Sequence, residues 1–101
     1  MKLIFRGPVY YSHGDEEAFF HWLESIPGVL GVRGIGRELH IELRSKRISA
    51  TALRELIGFY RRYGGRLRDL AVFENAANRA WFRDPVRYWY RGVFGGSRRT
   101  R

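Results

Sequence analysis

The sequence predicts an α+β fold in which helices cover one face of an antiparallel sheet. Two observations favour this class: strand-like segments with alternating apolar residues take turns with segments of helical spacing, and glycine or proline residues separate them. With 101 residues, of which 45% are hydrophobic, the chain is long enough for one core. We therefore expect a single α+β domain over residues 1–96 and a disordered basic tail over residues 97–101.

Five segments of the first half follow this alternation. Residues 2–6 alternate between polar and apolar side chains, as a short strand does. Residues 15–26 open with three acidic residues, which favour the first turn of a helix, and continue with apolar residues at helical spacing. Residues 29–33 predict a second strand and residues 34–37, with two glycines, a hairpin turn. Residues 38–43 form the clearest strand, with Leu39 and its alternate neighbours facing the core.

The second half continues the pattern and then departs from it. Ser49 is a predicted N-cap, and residues 53–60 repeat apolar side chains at helical spacing. Residues 67–73 predict a fourth strand. The order strand–helix–strand–strand–helix–strand is that of a ferredoxin-like (split βαβ) fold, with two main helices on one face of the sheet. Residues 74–82 and 85–94 predict a C-terminal helical extension beyond that fold.

Basic residues are concentrated in the second half of the chain. Residues 1–45 hold five Lys and Arg against six Asp and Glu, whereas residues 46–101 hold fourteen against four. Almost all are arginine, whose planar donor group suits specific interfaces better than lysine does. This asymmetry predicts an acidic partner, either a protein face, a nucleic acid or an anionic membrane. The alternative is that the charge serves solubility alone, with arginine favoured over lysine by a GC-rich genome.

The residues that could support catalysis are few. The chain has no cysteine, so disulfides, thiolate metal sites and a cysteine nucleophile are excluded. His13, in a loop, and His40, between Glu38 and Glu42, are candidates for an acid–base or metal site. For His40, a solvated polar row on the outer strand face is the favoured interpretation. We therefore predict that the protein is not an enzyme and that it requires no cofactor and no metal.

The location of the protein is predicted from four features of the chain. Small exported domains often depend on disulfides, so the absence of cysteine favours the cytosol. The apolar run at the N-terminus is broken too early for a signal peptide. No stretch approaches the roughly 18–20 apolar residues needed to cross a bilayer. The predicted helix over residues 85–94 is amphipathic, with Arg87 and Arg91 on its polar side, but it is short and its apolar stripe is what a helix packed on the core requires. We therefore expect a cytoplasmic protein that does not bind a membrane.

Nucleic-acid binding is the main alternative to protein binding. A basic ferredoxin-like domain with many aromatic residues is similar in outline to RNA-recognition modules, which stack bases on rings of an open sheet face. Here the predicted open face carries Glu38, His40 and Glu42 and no aromatic ring. Nucleic acid would therefore contact the arginine-rich half through its phosphates, with strong dependence on salt.

The second half interleaves arginine with tyrosine and tryptophan, the residue types that dominate protein interfaces. We expect at least half of these rings to pack the C-terminal segment onto the domain. A helix over residues 88–90 cannot bury all three of its rings, and Tyr88 is the one expected to remain exposed. The predicted contacts to an acidic partner come from Arg61, Arg62, Arg68, Arg83, Arg87 and Tyr88.

The two ends of the chain carry a resemblance to a known class of proteins. The segments are Lys2-Leu3-Ile4-Phe5-Arg6-Gly7, Phe73-Glu74-Asn75, Trp81-Phe82-Arg83-Asp84-Pro85 and Tyr88-Trp89-Tyr90-Arg91-Gly92-Val93-Phe94-Gly95. With them the chain resembles small bacterial immunity-type proteins of contact-dependent and polymorphic toxin systems. The resemblance implies a cytoplasmic inhibitor that binds one toxin tightly and blocks its active site or substrate surface.

The resemblance assigns no contact residue, because immunity proteins bind through divergent surfaces. One property departs from the class: inhibitors of nucleases are commonly acidic, whereas this chain has a net charge of +9. An immunity role therefore implies a toxin with an acidic face, or a toxin other than a typical basic nuclease. The oligomeric state is left open by the sequence.

Overall fold

The computed structural model describes residues 1–95, so the predicted tail over residues 97–101 lies outside the described residues. Three strands and two long helices are followed by short helices. The elements are β1 (Lys2–Arg6), α1 (His13–Ser25), β2 (Val29–Ile35), β3 (Glu38–Leu43), α2 (Ala50–Tyr63), a 3-10 helix (Leu67–Phe73), α3 (Arg79–Phe82) and α4 (Tyr90–Phe94). None of the described helices is long and apolar enough to cross a membrane.

Serine side chains cap the start of both long helices. The Ser49 hydroxyl accepts a hydrogen bond from the backbone N–H of Ala52 at 3.0 Å, which confirms the predicted cap of α2. Ser12 caps α1 in the same way, so this helix begins two residues before the predicted acidic start. At the end of α2, Gly64 has a φ of 78°, a left-handed conformation that stops a helix at little cost for glycine.

The three strands form one antiparallel sheet in the order β1-β3-β2. Gly36, with a φ of 61°, begins the two-residue turn that joins β2 to β3. Leu39 and the alternate residues of β3 are buried, as predicted, and face α1 and α2. The α+β class and the antiparallel sheet are thus confirmed, with His40 and its alternate neighbours on the open face.

A fourth strand is not formed by residues 67–73, so that prediction is wrong and the ferredoxin-like assignment is not confirmed. The segment is a 3-10 helix in which Leu70 and Phe73 are buried. These side chains are three residues apart, which is the repeat of a 3-10 helix and not the two-residue repeat of a strand. Leu67, one further repeat back, packs against Gly92 of α4.

The C-terminal extension is helical only in part. Asn75 accepts hydrogen bonds from the backbone N–H groups of Ala77 and Asn78, and this turn replaces the predicted start of a helix at residue 74. Residues 85–89 also precede the helical part, so α4 covers only the last five residues of the predicted 85–94 helix. Val86, the first apolar residue of the helical spacing over residues 85–94, is 88% exposed.

Aromatic rings form the centre of the core. Phe19 of α1 contacts Phe59 of α2 with ring centroids 4.7 Å apart, and Phe5 of β1 contacts Tyr60 at 5.1 Å. Burial raises the pKa of the Tyr60 hydroxyl, which lies in the core without a hydrogen-bond partner among the described residues. This packing fixes α1 and α2 on one face of the sheet. The 3-10 helix, α3 and α4 follow in the chain from the C-terminal end of α2.

Candidate partner-binding surface

Aromatic residues of the C-terminal segment pack against one another and belong to the hydrophobic core of the domain. Trp89 is 6% exposed, and its indole N–H donates a buried hydrogen bond of 2.7 Å to the carbonyl oxygen of Phe82. The Trp81 ring meets the Trp89 ring edge to face, at 6.1 Å between centroids. Val93 of α4 is buried beside them. These side chains position the exposed arginines around them.

Glu74 binds two of these arginines. Its carboxylate accepts two hydrogen bonds from Arg83, at 2.6 and 2.7 Å, and one from Arg79 at 3.1 Å. The hydrogen bonds from Arg83 are the main cause that lowers the pKa of Glu74 to about 2. The Arg83 guanidinium also lies 4.2 Å from the centroid of the Phe94 ring. A partner that engages Arg83 would have to compete with these contacts inside the chain.

The ion pairs of Glu74 predict a pH-dependent stability. The pKa of this carboxyl rises from about 2 in the folded protein to its ordinary value of 4.5 on unfolding. The unfolded chain therefore binds the proton more tightly, and the contribution is complete above pH 4.5 and is lost as the pH falls toward 2. We expect Glu74→Gln to lower the free energy of unfolding by about 1 kcal/mol at neutral pH, with allowance for solvent screening. As the pH falls from 4.5 toward 2, the free energy of unfolding of this variant should decrease less steeply than that of the wild type.

Urea unfolding of the wild type and of Glu74→Gln between neutral and acidic pH measures this effect. Glu24→Gln is the matched control, because Glu24 is exposed and accepts no hydrogen bond within residues 1–95. A free energy of unfolding that depends equally on pH in the wild type and in Glu74→Gln would contradict the assignment.

Arg87 and Tyr88 belong to an exposed segment that precedes α4. Tyr88 is 59% exposed, as predicted, although its ring also meets the Trp89 ring at 5.1 Å. Arg87 lies 3.6 Å from the Asp84 carboxylate, a long and solvent-exposed ion pair. With Val86 beside them, residues 86–88 offer an apolar, a basic and an aromatic side chain in sequence.

A second group of exposed arginines lies where α2 joins the 3-10 helix. Four of them fall within residues 61–68, and Arg91 follows on α4 next to Gly92, which packs against Leu67. None of the five forms a salt bridge within residues 1–95, and Asp69 is the one acidic residue that adjoins them in the chain. We call this group the arginine cluster; it consists of Arg61, Arg62, Arg66, Arg68 and Arg91.

The structure divides the six predicted contact residues into three sets. Arg61, Arg62 and Arg68 belong to the arginine cluster, Arg83 is bound to Glu74, and the last two lie in the exposed segment before α4. The sequence prediction omitted Arg66 and Arg91 from the site. Only the packing of α4 on the 3-10 helix relates Arg91 to the others, and no local pattern in the sequence encodes that contact.

The two histidine candidates lie on opposite sides of the sheet. His40 is on the open face, where its Nε2 lies 3.1 Å from a Glu38 oxygen and its buried Nδ1 has no hydrogen-bond partner among the described residues. His13 begins α1, which covers the other face, and its side chain is exposed. Within residues 1–95, no group of three or more His, Cys, Asp or Glu side chains is placed to hold a metal ion.

The arginine cluster is suited to binding a macromolecule with a negative surface. Guanidinium groups bind carboxylates and phosphates through paired hydrogen bonds, which gives geometric selectivity as well as attraction. Surface concavities lie along α1, between residues 46–49 and 72–77, and on the open face of the sheet, and the cluster lines none of these three. No family model, no curated protein and no solved structure matches the chain.

Proposed function

We propose that this protein is a non-catalytic binding protein that neutralises a bacterial toxin by forming a stoichiometric complex. The arginine cluster is the observation that carries the proposal, since its five exposed charges are not paired with carboxylates of residues 1–95. The resemblance of both chain ends to immunity-type proteins supports the same role. Such an inhibitor acts in the cytoplasm of the cell that makes it and requires no cofactor.

The charge of the arginine cluster selects the kind of toxin. The five exposed arginines have no carboxylate partner within residues 1–95, so an acidic face that binds them gains charge attraction and paired hydrogen bonds. Val86 and Tyr88, both exposed, add the apolar and aromatic contacts that strengthen an interface beyond charge alone. The proposed toxin therefore presents an acidic surface at or near its active site or substrate-binding surface.

Nucleic acid is the second candidate, because phosphates satisfy arginine as well as carboxylates do. The open sheet face weighs against a base-reading mode. Glu38, His40 and Glu42 line it, and no aromatic side chain of the sheet points from it for stacking. Nucleic acid would be bound by phosphate contacts alone, with affinity that falls steeply as salt increases.

Charge reversal in the arginine cluster tests the proposal. We expect Arg62→Glu/Arg68→Glu to weaken binding of the acidic partner at least tenfold, since interface arginines contribute about 1–2 kcal/mol each. The partner is first captured from a nuclease-treated lysate of the source organism, and titration calorimetry then measures its affinity. Lys46→Glu/Arg47→Glu is the matched control, because it changes the net charge equally at two exposed positions outside the cluster.

Growth assays distinguish an immunity role from binding of any acidic protein. The captured partner should arrest growth when it is expressed alone and should be tolerated when it is expressed together with the wild type. The double variant in the cluster should lose this protection, and the control variant should keep it. Recovery of nucleic acid alone from the same lysate without nuclease treatment, lost at high salt, would favour the second candidate. An equal loss of binding in both double variants would show that only net charge matters.

A further inference from the structure

The outer edge of β2 has backbone hydrogen-bonding groups that no strand of residues 1–95 pairs. The Leu43 N–H donates to the Met1 carbonyl oxygen at 2.7 Å, and the Gly7 N–H donates to the Arg37 carbonyl oxygen at 2.9 Å. Because of these bonds, the backbone N–H and C=O groups of the odd-numbered residues of β3 point toward β1, and those of its even-numbered residues point toward β2. In the observed register, the N–H and C=O groups of Val32 and Gly34 therefore point away from the sheet.

The outer edge of β1 is also unpaired by strands of the described residues, but its side chains oppose self-pairing. There Lys2, Ile4 and Arg6 direct their backbone groups outward. A two-fold axis at Ile4 would place Lys2 of one copy opposite Arg6 of the other. Like charges directly opposite each other destabilise a strand pair, and charged residues on an edge commonly serve to prevent such pairing.

The edge of β2 has the opposite character, because its sequence is complementary to itself. A two-fold axis at Val32 places Arg33 of one copy opposite Gly31 of the other, so no like charges face each other. The same axis brings Leu30, which is 59% exposed, next to Gly34 of the second copy. In each of these two pairs a large side chain lies opposite a glycine, which has no side chain. No atom lies within 4 Å of the place that a side chain on Gly31 would occupy.

Charge complementarity across Gly31 identifies a second copy as the occupant of this edge. Gly31 is paired with Glu42, so a second copy's Arg33 would lie in one cross-strand row with Gly31 and Glu42 on the open face. The distance from that Arg33 to Glu42 is two strand spacings, or about 10 Å between Cα atoms, which two long side chains span. Glu42 is half exposed and bonds only the N-terminal amine within residues 1–95, while Arg33 has no carboxylate partner there.

We propose that the outer edge of β2 pairs with the same edge of a second copy of this chain. The product is a two-fold symmetric dimer with one continuous six-stranded antiparallel sheet. Each copy carries a net charge of +9, and a single strand pair buries less area than a standard stable interface, so the dimer is weak and forms at high protein concentration. This inference does not depend on the proposed function, since the arginine cluster lies outside β2.

Two variants test the pairing in different ways. Val32→Pro removes an N–H group that has no partner in the single copy, and proline is tolerated on an edge strand, so it blocks pairing at the edge without removing a hydrogen bond of the sheet. Arg33→Glu places a carboxylate in the row of Glu42 and replaces attraction by repulsion. Arg33→Glu also lowers the net positive charge of each copy and so weakens the general repulsion between two copies. A loss of the dimer in this variant would therefore come from the local repulsion between the introduced carboxylate and Glu42.

Sedimentation equilibrium from about 10 µM to about 1 mM protein measures the association. We expect the wild type and the exposed-site control Lys46→Glu to dimerise, and Val32→Pro and Arg33→Glu to do so at least tenfold more weakly. Adding Glu42→Arg to Arg33→Glu, together with Lys2→Glu because Lys2 lies opposite Glu42, should restore the dimer, since the charges of this row are then exchanged. In the wild type, the amide hydrogens of Val32 and Gly34 should exchange more slowly as the concentration rises.

Three results would overturn the proposal. The first is a wild type that remains monomeric over this concentration range. The second is dimerisation of Val32→Pro and Arg33→Glu with the affinity of the wild type. The third is a dimer that Ile4→Pro abolishes and Val32→Pro leaves intact, which would place the contact at β1. Should Val32→Pro fail to fold, Arg33→Glu and its charge exchange with Glu42 decide the question alone.

Discussion

Replacing Trp89 with alanine is expected to lower the free energy of unfolding by about 4 kcal/mol. The indole is buried against Trp81 and Phe82, so its removal leaves a cavity that the surrounding rings cannot fill. It also removes the only side-chain donor that the described residues offer to the buried carbonyl of Phe82. Urea unfolding followed by circular dichroism measures the loss, which corresponds to a fall in Tm of about 20 °C for a domain of this length.

Trp89→Phe separates packing from hydrogen bonding at the same position. Phenylalanine keeps most of the apolar contact but leaves the Phe82 carbonyl without its donor, at an expected cost of about 1–3 kcal/mol. Tyr88→Ala is the control, because this neighbouring ring is mostly exposed and its loss should change stability little. If Trp89→Ala were as stable as Tyr88→Ala, the packing of the C-terminal segment described above would be wrong.

Replacing Gly65 with alanine is expected to destabilise the protein by about 3 kcal/mol. A Cβ atom at this position would lie 2.5 Å from Phe5 Cε2 and 2.6 Å from Tyr60 Cδ2, far inside van der Waals contact. Both rings are 1% exposed and packed by other rings, so neither can move aside without disturbing the core. Urea unfolding and the near-ultraviolet circular dichroism of the aromatic residues would both report the change.

Gly58→Ala provides a control with the opposite sign. Gly58 lies inside α2, and a Cβ atom there would be 3.8 Å from the Trp22 ring, an ordinary contact distance. Alanine restricts the unfolded chain and favours the helix, so stability should rise by about 0.5–1 kcal/mol. Equal effects of the two glycine substitutions would contradict the observed approach of residue 65 to Phe5 and Tyr60.

The proposed function and the proposed dimer use different parts of the molecule. The arginine cluster lies on α2, the 3-10 helix, the connection between them and α4, whereas the proposed dimer forms along β2. A dimer would present two arginine clusters, so a partner with two acidic faces would be held with higher avidity than by one copy. Arg33→Glu is expected to break the dimer and to leave the arginine cluster unchanged. Its effect on the affinity for the partner therefore measures the contribution of avidity separately from that of the cluster.

Local patterns in the sequence determined the first two thirds of the fold. Alternation over residues 38–43, the acidic start of α1 and the Ser49 cap each act within a few residues, because helices and strands are selected by short-range periodicity and by capping. Tyr88 is exposed as predicted, although the prediction assumed a helix over residues 88–90 and α4 begins only at Tyr90.

Only the tertiary structure decided the last third of the chain and the composition of the arginine cluster. Residues 67–73 contain apolar side chains that fit either a strand or a 3-10 helix. The structure has the 3-10 helix, in which Leu67 packs against Gly92. That same contact relates Arg91 to the arginines of residues 61–68. Glu74 and Arg83, nine residues apart, pair in a way that no helical repeat predicts. Contacts between distant residues depend on how the elements pack, and the periodicity of a single segment does not encode that packing.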